Sequence, residues 1–161
     1  MERKIRVLFV DDEEKFLKGM TTRLSLRGFE VLPFASGLDA LAATETSPFD
    51  VALLDLKMPG IDGEELLRKL KERDATTEVI ILTGHGSINS AVQCTREGAY
   101  EYLQKPCDFD ELMAAISKAY AKRVTSRRAS KAARVEELMS RAIGLGPLEL
   151  IAELRKIDDE P

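Results

Sequence analysis

Three acidic residues, one hydroxyl and one ammonium each stand at or just past the end of a short apolar run. Asp11 and Asp12 follow Ile5–Val10, Asp55 follows Val51–Leu54, Thr83 follows Val79–Leu82, and Lys105-Pro106 comes one residue after Tyr100–Leu103. Carboxylates gathered at one point cannot all stay ionised without a counterion. A set of hard oxygen ligands that leaves positions for water suits Mg²⁺, which commonly accompanies phosphoryl chemistry. A carboxylate beside such an ion is a competent nucleophile toward phosphorus and forms an aspartyl phosphate, while an ammonium and a hydroxyl neutralise charge on the phosphoryl oxygens. Asp55 ends the central run, where a carboxylate is costly unless it is used. It is the expected nucleophile.

These groups meet only if the runs are strands of one parallel sheet. The apolar runs Ile5–Val10, Phe29–Leu32, Val51–Leu54, Val79–Leu82 and Tyr100–Leu103 alternate with helix-period segments at about 13–27, 37–46, 63–73, 87–97 and 109–123. Core-facing sets are Leu66, Leu67 and Leu70 in the third helix and Leu112, Met113, Ile116 and Tyr120 in the fifth. Five βα units with nearly continuous apolar strands predict a doubly wound α/β fold, a three-layer sandwich in which helices cover both sheet faces. Gly28 and Gly98 are expected helix stops, and Asp62 with Glu65 has the spacing of a capped helix start. In such a sheet ligands bind outside the carboxyl ends of the strands, where the charged residues fall.

Composition narrows the classes. The chain has 161 residues, 44% hydrophobic and 32% charged, with a net charge of -4. That suits one ordinary domain with a short appendage and excludes disorder throughout. No apolar run approaches the roughly 20 residues of a membrane span, no secretory leader is evident, and Cys94 and Cys107 lack any paired or metal-ligand spacing. A cytoplasmic protein with reduced thiols is expected. A dinucleotide-binding enzyme would need a glycine-rich turn after the first strand, where Asp11-Asp12-Glu13-Glu14-Lys15 would repel a pyrophosphate.

The ordered set Val10-Asp11-Asp12-Glu13, Leu53-Leu54-Asp55-Leu56-Lys57-Met58-Pro59-Gly60, Leu82-Thr83-Gly84 and Tyr102-Leu103-Gln104-Lys105-Pro106 resembles the receiver domain of two-component response regulators over about residues 4–123. The stretches Leu82–Ser87 and Arg96–Leu103 are especially similar to receivers of the nitrogen-regulation type. The resemblance implies a flavodoxin-like (βα)5 sheet of order 2-1-3-4-5. Asp55 is then the phosphoacceptor, and Mg²⁺ is held by Asp12 directly, by Asp11 through water, by Asp55 and by the Lys57 backbone carbonyl. Thr83 and Lys105 bind the phosphoryl oxygens. Tyr102 is the switch aromatic that turns inward with Thr83 and remodels the face of the fourth helix, fifth strand and fifth helix. It also implies a cis Lys105-Pro106 bond. The phosphoryl donor is a sensor histidine kinase or phosphotransfer protein, the output is a protein target, and phosphorylation is expected to promote a homodimer. The chain then acts as a phosphoacceptor in signalling and not as an enzyme with a substrate of its own.

Two other classes fit these residues less well. A phosphatase of the haloacid-dehalogenase type wants a second Asp two residues after the nucleophile, and Lys57 stands there. A receiver-like interaction module that works without phosphorylation would be marked by loss of Asp55, Lys105 or the acidic pair, all of which are present. His85 reads as an exposed loop histidine near the site. After Arg123 the pattern weakens through Thr125–Ser130 and resumes with Val135, Leu138, Met139, Ala142 and Ile143. It stops at Gly144–Pro147, then forms a last helix at about 147–156. Division into a receiver at 1–123 and a helical tail at 124–161 without an ATPase or DNA-binding domain is expected. The basic run Lys122–Arg134 reads as a solvated helix face, with no nucleic-acid reader beside it.

Overall fold

The first apolar run is buried from both sides, and that decides the architecture. In β1 (Arg6–Val10) Val7 and Phe9 belong to one core and Leu8 and Val10 to the other, each at most 1% exposed. A strand without a polar face must lie inside a sheet covered twice. The computed structural model describes residues 2–160. Its sheet has five parallel strands in the order β2-β1-β3-β4-β5, with β2 at Glu30–Phe34, β3 at Val51–Leu54, β4 at Glu78–Thr83 and β5 at Glu101–Gln104. One face is covered by α1 (Glu14–Leu26) and the first half of α5 (Phe109–Arg141) through Leu17, Met20, Leu24, Leu112 and Ile116. The other is covered by α2 (Gly37–Ala43), α3 (Gly63–Arg73) and α4 (Ile88–Arg96) through Ala40, Leu66, Leu67, Leu70 and Cys94. This is the expected doubly wound sandwich, and each fully buried leucine contributes about 1.5–3 kcal/mol to it.

Helix ends follow local chemistry. The Asp62 carboxylate accepts from the Glu65 N–H at 2.9 Å and starts α3. Gly28 closes α1 at φ +93°, a conformation that side-chain-bearing residues avoid. Several boundaries differ from expectation. Strand β2 runs on through Pro33, which pairs with Phe9 in register. Proline is tolerated there because β2 is an edge strand with one hydrogen-bonding side unused. Helix α5 does not stop at Arg123 but continues unbroken to Arg141. The stretch 124–134 is rich in Ala, Arg, Lys and Ser with no Gly or Pro, so helical propensity persists where apolar periodicity fades.

Contacts divide the chain into two compact units, one ending at Arg123 and one beginning at Val124. At the amino edge of the first unit's sheet, the Arg123 guanidinium, 4% exposed, donates to Thr77 Oγ1 and Asp74 Oδ2, each at 3.2 Å. Lys122 pairs with buried Glu78 at 3.4 Å. Arg123 is therefore a buried anchor for α5, a correction to its reading as part of a solvated face, whereas the Lys122 side chain is exposed as expected. In the second unit a 3-10 turn (Ala142–Gly144) leads to α6 (Pro147–Asp159), which extends past the expected end near residue 156. Leu138 and Ile157 are its buried residues, Lys131 donates to the Asp158 carbonyl at 3.1 Å, and Arg134 pairs with Glu160. Ile143 and Leu148 are 99% and 82% exposed. Among the described residues no helix is long and apolar enough to cross a membrane.

Both cysteines are free thiols. Burial pushes the Cys94 thiol up to about 11 from 9.0, and the carboxylates of Glu64, Glu97 and Asp62 push the same way. Because its folded value is raised, Cys94 stabilises the fold fully below the ordinary thiol range, and this is lost as pH rises through the folded value. At mildly alkaline pH, half-buried Cys107 is expected to alkylate first while Cys94 reacts only on unfolding. Stability of the wild type is expected to fall more steeply between about pH 9 and 11 than that of Cys94→Ala. Equal alkylation rates in the native protein, read by peptide mass, would contradict this placement.

Candidate functional site

Parallel strands carry their last residues to one edge, and β1, β3, β4 and β5 deliver the site there. Asp11 and Asp55 directly follow β1 and β3 and are 0% and 3% exposed, while Asp12 faces solvent. One carboxylate oxygen from each of Asp11, Asp12 and Asp55 lies within 4.8 Å of the others. The Lys105 ammonium sits beside them, 2.6 Å from Asp11 Oδ2, 3.9 Å from Asp55 Oδ2 and 3.8 Å from Glu13 Oε2. The expected convergence of strand-end charges is therefore present. Asp12, Glu13, Asp55, Gly84, His85 and Lys105 line an open cleft of about 360 Å³.

Each buried oxygen has a defined partner. Asp11 Oδ1 accepts from the Glu13 N–H at 2.9 Å, while its Oδ2 takes the Lys105 ammonium. Asp55 Oδ1 accepts from the Leu56 N–H at 2.9 Å, so its Oδ2 is the oxygen on the Lys105 side. Burial holds the Asp11 carboxyl above its ordinary range, outweighing the opposing pull of the Lys105 hydrogen bond and charge. One ammonium does not balance this cluster. A donor set of three close carboxylates, two of them buried and sharing one ammonium, fits a hard divalent cation such as Mg²⁺.

Other expected site residues are placed less centrally. Thr83, 0% exposed, ends β4, and its Oγ1 accepts from the His85 N–H at 3.1 Å. His85 is exposed, as expected, and lines the cleft. The Lys57 side chain is exposed. Tyr102 is half-buried against the second core, and its hydroxyl shares a 2.8 Å hydrogen bond with Ser90 of α4. The Lys105-Pro106 bond is cis.

Sequence reasoning missed two contributors. Gly63, the first residue of α3, packs so closely that an added Cβ would lie 2.1 Å from the Asp55 carbonyl oxygen. Its N–H donates to the Leu56 carbonyl at 2.8 Å. A glycine after a capping aspartate looks like ordinary turn punctuation, and only the fold shows what it touches. Phe16, in the first turn of α1, places its ring 4.1 Å from the Lys105 ammonium. No motif in the sequence singles it out.

An open parallel α/β sheet with an acidic cleft at its carboxyl edge defines a doubly wound domain of the receiver type. The chain belongs to the response regulator receiver domain family, whose family model matches residues 7–117. It is 38% identical over 117 residues to the C4-dicarboxylate transport transcriptional regulatory protein DctD of Rhizobium meliloti, an alignment covering 73% of this chain and 25% of that protein. It is 38% identical over 119 residues to the DNA-binding transcriptional regulator NtrC of Salmonella typhimurium, covering 74% and 25%. A receiver domain structure from Clostridium thermocellum superposes with a TM-score of 0.72 at 36% identity, covering 75% of this chain and 98% of that one. The chain thus spans about a quarter of the length of these curated relatives. Magnesium and phosphoaspartate are standard in this family of two-component signalling domains.

Two outcomes follow from the geometry. Gly63→Ala is expected to cost about 1–3 kcal/mol in urea unfolding, because the strand end must move to admit the methyl group; a cost below about 0.5 kcal/mol would contradict the close approach. Millimolar Mg²⁺ is expected to raise the thermal midpoint by roughly 3–10 °C over a chelated sample. Asp12→Ala, which alters an exposed side chain, is expected to lose most of that shift while still folding. An Mg²⁺ response of wild-type size in Asp12→Ala would remove Asp12 from the site.

Proposed function

We propose that this domain is a phosphorylation-activated switch in which Asp55 accepts a phosphoryl group from the phosphohistidine of a sensor histidine kinase or phosphotransfer protein. The observation that carries the reading is the meeting of Asp11, Asp12 and Asp55 oxygens within 4.8 Å, beside an ammonium 3.9 Å from Asp55 Oδ2. The Oδ2 lone pair attacks phosphorus, a P–O bond forms, the P–N bond breaks, and its electron pair returns to the departing imidazole. Asp11, Asp12, Asp55 and the Lys57 backbone carbonyl are the groups to hold Mg²⁺, which when bound neutralises charge on the phosphoryl oxygens. Lys105 donates to one of those oxygens. The Thr83 hydroxyl accepts from His85 N–H, leaving its own proton to donate to another.

Output is proposed at the face of α4, β5 and α5. Movement of Thr83 toward the new phosphoryl group draws the Tyr102 ring inward at the expense of its hydrogen bond to Ser90. Ile88 and Val92 lie one turn apart on α4 and are 85% and 45% exposed, apolar surface suited to a protein target or a second copy of the chain. Free thiols and membership of a family of soluble regulators support a cytoplasmic setting.

Intact mass after incubation with Mg²⁺ and a small acyl-phosphate donor tests the reading. One added phosphoryl group is expected on the wild type and none on Asp55→Asn or in chelator. Light scattering of the phosphorylated sample is expected to show a doubled mass, and an unchanged mass would remove the homodimer. Failure of the wild type to gain a phosphoryl group would turn the assignment to an interaction module that works without phosphorylation.

A further inference from the structure

A lysine that must donate to a transferred phosphoryl group faces two competing demands. Its flexible four-carbon arm has to be held in place, yet each carboxylate that holds it also occupies a donor and cancels part of its charge. Lys105 is drawn to Asp11 at 2.6 Å and lies 3.8 Å from Glu13 and 3.9 Å from Asp55. A further contact is of a different kind: the ammonium stands 4.1 Å from the centroid of the Phe16 ring. An aromatic face attracts a cation through its quadrupole and takes up no hydrogen bond of carboxylate strength.

The ring is itself positioned from the core. Phe16 is half-buried against the first core, and its ring meets Phe9 edge-on at 6.0 Å and 75° between planes. Phe9 is a β1 residue 1% exposed, two positions before Asp11. The strand that delivers the acidic pair therefore also fixes the ring that backs the lysine.

We propose that Phe16 is a positioning residue for phosphoryl transfer: its ring holds the Lys105 ammonium over the cleft with donors free for phosphoryl oxygens. This rests on the reading of Asp55 as phosphoacceptor. When a metal draws on the Asp11 carboxylate, the ring keeps the ammonium from swinging into solvent. Leucine at position 16 would still pack against the lysine's methylene stem but would offer no aromatic face, so the two roles separate experimentally.

The test is the rate of phosphorylation of the full chain by a small acyl phosphate with Mg²⁺, followed by intact mass. The samples are wild type, Phe16→Leu, Phe16→Tyr and chains carrying progressively fluorinated phenylalanine at position 16. Fluorination keeps the ring's shape while draining its face of negative charge. Phe16→Leu is expected to slow the reaction roughly three- to tenfold. Phe16→Tyr is expected to restore it to within about twofold, and the rate should fall stepwise with fluorine number at unchanged thermal midpoint. If Phe16→Leu does not fold, the fluorinated series decides alone. Wild-type rates throughout the fluorinated series would overturn the role of Phe16 and leave Asp55 as phosphoacceptor. Absence of any phosphoryl group on the wild type would overturn the Asp55 reading, and this inference with it.

Discussion

Three carboxylates face one ammonium at the carboxyl edge of the sheet, and the arrangement of the site depends on that imbalance. Asp11 and Asp55 are buried, so water cannot screen them, and Lys105 at 2.6 Å from Asp11 satisfies only part of the negative charge. An uncompensated buried carboxylate destabilises a fold. Here it is the feature that suits the cleft to a hard cation. The cost is carried by the apolar interior on both sheet faces, where β1, β3 and most of β4 bury nearly every side chain.

The backbone around the cluster holds its members in place. Asp55 is fixed by the Leu56 N–H on one oxygen and by the close approach of Gly63 to its carbonyl. Asp11 is fixed by the Glu13 N–H, and Lys105 by Asp11 and Phe16. Toward α4, an added Cβ at Gly86 would lie 2.6 Å from the Tyr102 hydroxyl oxygen, so the bare backbone there is what admits the ring beside Ser90. The Tyr102 ring also packs against the second core, which contains Cys94 of α4.

Much of this was legible because the fold places strand ends by rule. Apolar runs at Val7–Val10, Val51–Leu54 and Val79–Leu82 announce buried parallel strands, and the residue after each is thereby assigned to one edge. Periodicity reads burial, and it erred where burial and conformation part. Helix α5 continues past Arg123 on propensity alone, and β2 admits Pro33 because an edge strand has a side to spare. The charge of Lys122 and Arg123 was visible, but not that Glu78 and Asp74 wait for them across the amino edge of the sheet.

The amino-acid sequence by itself determined the layer order, the chemical character of each strand end, and the meeting of Asp11, Asp12, Asp55 and Lys105 at one edge. These are properties of period and residue type, which need no knowledge of distant neighbours. The tertiary structure alone decided which oxygen of Asp55 faces the ammonium, why residue 63 has no side chain, and that an aromatic ring from α1 backs the lysine after β5. Those facts are distances between elements remote in the chain. They are set by how closely helices and strands pack, and no local pattern in the sequence encodes them.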